Sequence, residues 1–353
     1  MVVDSLVAMP KELNQDPRPG LSAAGVGRRV MAAGRQATGS TVTLPLHMRC
    51  QAGPGVPAGS FSDRETSVQI GANFPQHEIG TDPGAIREFA QAAEALGYVH
   101  LTALDHVLGV DLPSHPGYEP IKNVSPRYAL TYPIHELFTL FGFLAGVTEK
   151  IELFTAILIL PQRQTALVAK QAAEVDILSN GRLRLGVAVG HTDIEYAGLG
   201  MSFHDRGARI EEQIELLRKL WTEEVVTFNG KFHNLEAVGI NPLPVQRPIP
   251  IWMGGWSQAV LRRAARLADG LMTPQRIGEM RGYVSEAGRD PSKFGFSVGI
   301  RVRGDDVSGA VAEARTQEAR GVTHLAVGTQ DAGLTSVDEH IDALRRFKAE
   351  YGF

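Results

Sequence analysis

The chain has 353 residues, of which 43% are hydrophobic and 21% are charged, which is typical of a globular protein with a substantial core. A formal net charge of -4, without a long run of Lys and Arg, argues against a nucleic-acid partner. The single cysteine, Cys50, cannot form an intrachain disulfide, and no segment reaches the roughly 20 apolar residues that cross a bilayer. These features favour a cytoplasmic protein that binds neither nucleic acid nor membrane.

Residues 1–66 differ in composition and periodicity from the rest of the chain. They are rich in Gly, Ala, Pro, Ser and Arg and show no sustained period of 2 or 3.6. Arg28 and Arg29 suggest a twin-arginine export signal, but Gly34 and Arg35 follow before an apolar core develops, which argues against export. We therefore predict a disordered N-terminal extension over 1–66 and a folded domain over 67–353.

From residue 67 onward, short β-rich runs alternate with amphipathic helices. Asp82 and Pro83 form an N-cap and a first helical position, and Gly97 ends the helix that they begin. A segment after the fourth helix reads as an inserted hairpin that turns at Asn229-Gly230. The predicted strands are SVQIGAN, YVHLTAL, IELFTAILI, RLRLGVAVG, IPIWMGG, GLMT, FGFSVGIRV and HLAVG.

Eight strands, each followed by a helix, favour a parallel sheet that closes into an α/β fold of the (β/α)8 TIM barrel class, with the hairpin as an insertion. An open, doubly wound sheet is the alternative. The Gly-x-Gly-x-x-Gly motif expected after the first strand of a dinucleotide-binding fold is absent from the sequence.

The second strand ends at Asp105 and His106, where a barrel places its catalytic residues. An imidazole can accept or release a proton near neutral pH, and an adjacent carboxylate can bias its charge or orientation. An isolated pair could equally be a turn cap and a polar filler of the core. The position at the end of a barrel strand favours a catalytic pair.

Two glycine-containing loops follow the fourth and fifth strands, and they hold Gly190 and His191, then Gly254, Gly255 and Trp256. Glycine lets a ligand approach the backbone, and the N-terminus of a following helix suits an anion. Two such loops at one mouth predict a cofactor that carries phosphate. The sequence lacks a His-x-His after the first strand and a His-Glu-x-x-His, so we predict no metal site.

These motifs together resemble the bacterial luciferase-like monooxygenase superfamily. The similarity rests on the stretch from GANFPQHEIGTDPG to LTALDHVLG, on ILILPQRQTALVAKQAAEVDILSNGRLRLGVAVG, and on RPIPIWMGG and RLADGLM, and it spans about residues 68–350. Within the superfamily the chain looks most similar to the actinobacterial branch that uses the deazaflavin coenzyme F420. The resemblance implies a luciferase-like barrel and hydride transfer between F420 and an unidentified organic substrate.

The resemblance also implies roles for individual residues. His106, preceded by Asp105, would lie beside the cofactor ring as a base or proton relay, and a non-prolyl cis peptide would lie at Thr155, Ala156 and Ile157. After His106 the chain has Val107, Leu108 and Gly109 where the sugar-phosphate dehydrogenases of the family have an aromatic residue, so that substrate is not carried over. The expected cofactor contacts are Asn73, Asp105, His106, Thr155, Ala156, Ile157, Gly190, His191, Gly254, Gly255 and Trp256.

Three further expectations remain open. The loop 107–132, with His115, Tyr118 and Tyr128, is expected to cover the mouth as a partly apolar lid, although a plain surface connection is the alternative. The nearest alternative function is an FMN-dependent monooxygenase supplied by a separate reductase, and the other is a barrel that binds a flavin or deazaflavin without turnover. Related barrels commonly dimerise, so a homodimer is possible.

Overall fold

The computed structural model describes residues 68–118, 130–273 and 275–353. The predictions made for 1–66, for Cys50 and for Tyr128 fall outside these residues. The strands are β1 Gln69–Asn73, β2 His100–Ala103, β3 Glu152–Thr155, β4 Leu158–Ile159, β5 Leu183–Ala188, β6 Val226–Asn229, β7 Asn234–Val238, β8 Ile251–Gly254, β9 Gly270–Met272, β10 Gly295–Arg301 and β11 His324–Gly328. The α-helices are α1 Pro83–Ala95, α2 Leu137–Val147, α3 Thr165–Leu178, α4 Asp193–Gly198, α5 Arg206–Thr222, α6 Gln258–Leu267, α7 Ile277–Glu286, α8 Val307–Ala319 and α9 Val337–Tyr351.

The main sheet is a closed parallel barrel. Its strand order is β3-β2-β1-β11-β10-β9-β8-β5-β4, and a further pairing between β3 and β5 closes the ring. β3 and β4 are two parts of one barrel strand, so the barrel has eight strands in the sense predicted from the sequence. The predicted TIM barrel is therefore confirmed, and the open sheet is excluded because no edge remains unpaired around this ring.

Helix α1 begins where the sequence places capping residues. In α1 the Asp82 side chain accepts a hydrogen bond from the amide of Ala85, and Pro83 occupies the first turn. Ile86 and Phe89 of the same helix are buried against the barrel. Local capping and an apolar stripe thus agree on the position of this helix.

The predicted hairpin is also present, as β6 and β7 paired antiparallel outside the barrel. α2 begins at Leu137, where Glu136 caps it by accepting a hydrogen bond from the amide of Thr139. The short helix α4 was not predicted at all, and it lies in the loop after the fourth barrel strand.

Large side chains fill the lower barrel interior because glycines on neighbouring strands make room for them. A Cβ atom at Gly71 would lie 2.2 Å from the His100 ring, and one at Gly295 would lie 2.2 Å from Trp252. Arg184 lies among these rings, with its guanidinium 5.1 Å from the Trp252 ring and Nη1 2.8 Å from Nε2 of His324. The interior is thus packed, as expected for a barrel of this size.

Candidate active site

The strongest candidate for chemistry is a buried pair formed by His106 and Glu195. Nδ1 of His106 lies 3.1 Å from Oε2 of Glu195, and the two side chains are 7% and 0% exposed. His106 follows β2, whereas Glu195 lies on α4 after β5. The carboxyl ends of two separate barrel strands therefore contribute one residue each to the pair.

Glu195 also holds the backbone that carries His106. Its Oε1 accepts hydrogen bonds from the amides of Val107 and Leu108. Burial alone raises the pKa of a carboxyl group, but the hydrogen bond with His106 and those from these two amides outweigh it and lower the pKa of Glu195. Glu195 therefore stays ionised beside His106 at neutral pH.

A second histidine lies near this pair. The rings of His106 and His191 are 6.2 Å apart, centre to centre, and meet edge to face. Burial, reinforced by the proximity of His106, lowers the pKa of His191 although Glu195 acts in the opposite direction. His191 is therefore neutral at pH 7, and it lies next to the pair.

The Asp105 side chain binds Arg163 and the backbone of the third barrel strand. Its carboxylate pairs with Arg163, with 2.7 Å between Oδ1 and Nη2, and it accepts a hydrogen bond from the amide of Ile159 at 3.0 Å. Arg163 also binds Glu136 at 2.9 Å. Burial lowers the pKa of Arg163, but the two carboxylates outweigh it and raise this pKa, so the guanidinium stays charged. The carboxylate that contacts His106 Nδ1 is thus Glu195, while a catalytic role for Asp105 stays a prediction.

The third barrel strand is interrupted at the mouth. The peptide bond between Ala156 and Ile157 is cis and non-prolyl, as the family resemblance implied. A Cβ atom built on Gly254 would lie 3.1 Å from the Ile157 side chain, and one built on Gly190 would lie 2.6 Å from that of Ile159. Both glycine loops therefore meet this strand, and Gly190 has a φ of +62°, which favours glycine.

The remaining predicted contacts occupy different environments. Thr155 is buried, and its hydroxyl donates to the carbonyl of Gly186. Gly255 has a φ of +130°, and its carbonyl accepts a hydrogen bond from the Thr273 hydroxyl. Trp256 is 68% exposed. Which of these residues contact a cofactor stays a prediction.

Asn73 at the end of β1 is only partly satisfied. Its Nδ2 donates to the Thr102 hydroxyl at 3.2 Å, whereas its buried Oδ1 accepts no hydrogen bond within the described parts of the chain. A buried acceptor without a donor is costly, so this atom marks a point where a ligand donor would be stabilising.

The first part of the predicted lid packs on α4. The Tyr118 hydroxyl donates to Asp193 at 2.8 Å, and a Cβ built on Gly198 would lie 2.5 Å from the Leu108 side chain. Val107 and Leu108 remain about 40% exposed, at 39% and 41%. The loop after β2 therefore rests on the loop after β5, and its function as a lid stays a prediction.

Sequence reasoning missed Glu195 and Arg163. The segment TDIEYAG that carries Glu195 is too short to show a helical period, and its one signal was an acidic residue shortly after a predicted strand end. Arg163 follows the third strand in LPQR, and its charge alone did not identify Asp105 as its partner.

Within the described residues, no helix combines the length and the apolar composition needed to span a membrane.

Comparison with known proteins places the chain in a family. A family model described as luciferase-like monooxygenase matches residues 65–349. An uncharacterized protein of Mycobacterium tuberculosis is 35% identical over 263 residues, which is 72% of this chain and 88% of that protein. The chain belongs to the luciferase-like monooxygenase family, whose members are oxidoreductases and monooxygenases.

Relatives with assigned activities use two different cofactors. An F420-dependent glucose-6-phosphate dehydrogenase of Kineococcus radiotolerans is 29% identical over 53% of this chain and 51% of its own length. An FMNH2-dependent dimethylsulfone monooxygenase of Pseudomonas putida is 35% identical over 39% of each chain. The structure of an F420-dependent secondary alcohol dehydrogenase superposes with a TM-score of 0.65 at 17% identity, covering 81% of this chain and 99% of that one, which shows the shared fold.

Proposed function

We propose that the chain is an F420-dependent oxidoreductase that transfers a hydride between this coenzyme and an organic substrate. The observation that carries the proposal is the buried His106, held by the ionised Glu195 at the mouth of the barrel. Oxidation of an alcohol removes a hydride from carbon and a proton from oxygen, so the reaction needs a proton acceptor beside the hydride acceptor.

His106 is suited to take that proton. The contact between Nδ1 and Glu195 favours the tautomer with its proton on Nδ1, and this makes Nε2 the basic nitrogen. When Nε2 accepts a proton, the resulting imidazolium is stabilised by the carboxylate 3.1 Å away. In the reverse direction, the same nitrogen returns the proton to the oxygen of a ketone as the hydride arrives.

Residues at the mouth fit a planar cofactor that carries phosphate. Oδ1 of Asn73, which accepts no hydrogen bond from the described residues, and the backbone at Ala156 and Ile157 would contact the ring. Gly190 and Gly254, together with the α6 N-terminus, would hold the phosphate through backbone amides. When bound, F420 accepts or donates a hydride at C5 of its deazaflavin ring.

An FMN-dependent monooxygenase is the second candidate, favoured by the identity to the Pseudomonas putida enzyme. It would need a reductase to supply reduced flavin. The His106–Glu195 pair favours hydride transfer instead, because a reaction that takes a hydride from an alcohol has a direct use for a buried base.

Purified protein titrated separately with F420 and FMN tests the choice. We expect F420 to bind and raise the melting temperature, and to be reduced in the presence of a panel of secondary alcohols. Binding of FMN alone, with oxygen-dependent turnover, would make the chain a monooxygenase. Binding of either cofactor without turnover would indicate a barrel that binds a flavin or deazaflavin and does not catalyse a reaction.

Variants at the pair test the proton step. His106→Asn is expected to lower kcat by about 10²- to 10⁴-fold while the coenzyme still binds. Glu195→Gln keeps the size of the side chain and removes its charge, so we expect a smaller loss in kcat and an altered pH profile. His204→Gln, at an exposed histidine, serves as the matched control. Full activity in His106→Asn would remove His106 from the mechanism.

A further inference from the structure

A second polar cluster lies at the barrel mouth, and the proposed reaction does not use it. His77 and Glu78 follow β1, and Asp331 follows β11, 253 residues after Glu78. One ligand atom from each of these three residues can be chosen so that all three atoms lie within 4.8 Å of one another. We infer that His77, Glu78 and Asp331 bind a divalent transition-metal ion of the zinc type.

The chemistry of the three groups suits such an ion. Imidazole nitrogen and carboxylate oxygen bind Zn²⁺ at about 2.0–2.2 Å, so neighbouring ligands around a tetrahedral ion lie about 3.4 Å apart. The side chains of His77 and Asp331 are not fully buried and can close by the remaining ångström or so. The ion would keep a fourth position for water or a substrate oxygen.

A buried histidine behind the cluster is the independent observation that points to a ligand. His340 is fully buried, and the Thr329 hydroxyl lies 2.7 Å from its Nδ1. Its Nε2 points toward the cluster, 3.4 Å from Oε2 of Glu78, and makes no hydrogen bond within the described residues. Residues that orient the carboxylates of metal sites occupy this position behind the ligand.

The backbone around the cluster is already held in place. Oε1 of Glu78 accepts a hydrogen bond from the Asp331 amide at 2.7 Å, which ties the loop after β1 to the loop after β11. The His77 ring packs edge to face on Tyr132 at 5.1 Å. A metal ion would therefore bind ligands whose main chains are fixed before it arrives.

Among the residues that the structure describes, Arg301 competes with a cation, because its Nη1 lies 3.8 Å from Oδ2 of Asp331. Arg301 is a surface side chain, 49% exposed, and a surface ion pair of this length contributes little to stability. Arg301 carries one positive charge, which does not cancel the two carboxylates of Glu78 and Asp331 in attracting a divalent cation.

Metal titration of the full chain, without coenzyme, tests this inference separately from the proposed reaction. We expect calorimetry to show one Zn²⁺ per chain, and Co²⁺ to produce a visible absorption band from low-symmetry coordination. His77→Ala and Asp331→Asn should each weaken binding at least tenfold, His340→Gln should weaken it by a smaller factor, and His204→Ala should leave it unchanged.

Two results would overturn the inference. One is the lack of any stoichiometric Zn²⁺ or Co²⁺ binding by the wild-type chain. The other is unchanged binding in the double variant His77→Ala/Asp331→Asn, verified as folded by circular dichroism, because the metal would then be held elsewhere. Neither result bears on whether F420 binds or is reduced.

Discussion

His100 lies inside the lower barrel, where it is fully buried. Burial, reinforced by the nearby charge of Arg184, lowers its pKa from an ordinary 6.5 to about 3. The folded protein therefore keeps His100 neutral at a pH where the unfolded chain protonates it. Because the unfolded state then binds more protons, the free energy of unfolding must fall as the pH drops below about 6.5, down to about 3.

The size of this effect follows from the two pKa values. Each pH unit between these two pKa values lowers the free energy of unfolding by about 1.36 kcal/mol. Lowering the pH from 7 to 5 therefore lowers it by about 2 kcal/mol through His100 alone. His324, whose pKa burial also lowers well below its ordinary value, adds a contribution of the same sign. His100→Gln removes the titrating group, so its unfolding free energy should depend less steeply on pH by about this amount.

Urea unfolding, followed by tryptophan fluorescence at several pH values between 7 and 5, measures the difference. The comparison uses the slope with pH, because His100→Gln also changes packing against Gly71 and can lower stability at every pH. His204→Gln, at an exposed histidine, is the control. Equal pH slopes for His100→Gln and the wild-type protein would refute the account of a buried neutral histidine.

Two further predictions concern the walls of the candidate site. Arg163→Leu leaves the buried Asp105 carboxylate without its cation and should lower the free energy of unfolding in urea by about 3–5 kcal/mol. Adding Asp105→Asn in a double variant should restore part of this loss. A loss below about 1 kcal/mol in Arg163→Leu would contradict the buried ion pair. Gly186→Ala places a Cβ 2.1 Å from the Thr155 carbonyl oxygen and should lower the free energy of unfolding by about 1–3 kcal/mol or more. Gly278→Ala, the control variant in a helix with open space around it, should instead be neutral or stabilising in the same urea unfolding measurement.

The barrel could be predicted because its signals are local. Asp82 and Pro83 favour the start of a helix before an apolar stripe, and Asn229-Gly230 marks the hairpin, whose turn Glu212 also holds through the amides of Lys231 and Phe232. His106 could be proposed because the end of a barrel strand is a functional position in any chain of this fold.

The partners of these residues could not be predicted, because they depend on contacts between distant segments. Glu195 meets His106 across 89 residues, and Arg163 meets Asp105 across 58. The adjacent Asp105 was the carboxylate that the sequence offered to His106, and the folded chain directs it to Arg163 instead. The histidine and carboxylate cluster after β1 was missed for the same reason, since its third member, Asp331, lies 253 residues after Glu78 in the sequence.

The hydrogen bonds from Val107 and Leu108 to Glu195 have a consequence for protein engineering. Glu195 on α4, a helix of a different βα unit, holds the conformation of the segment that follows β2. The segment and the helix therefore cannot be exchanged independently. A chimera with a new specificity loop after residue 106 would therefore also need the matching α4. A chimera that exchanges the loop alone should lose the orientation of the His106 imidazole.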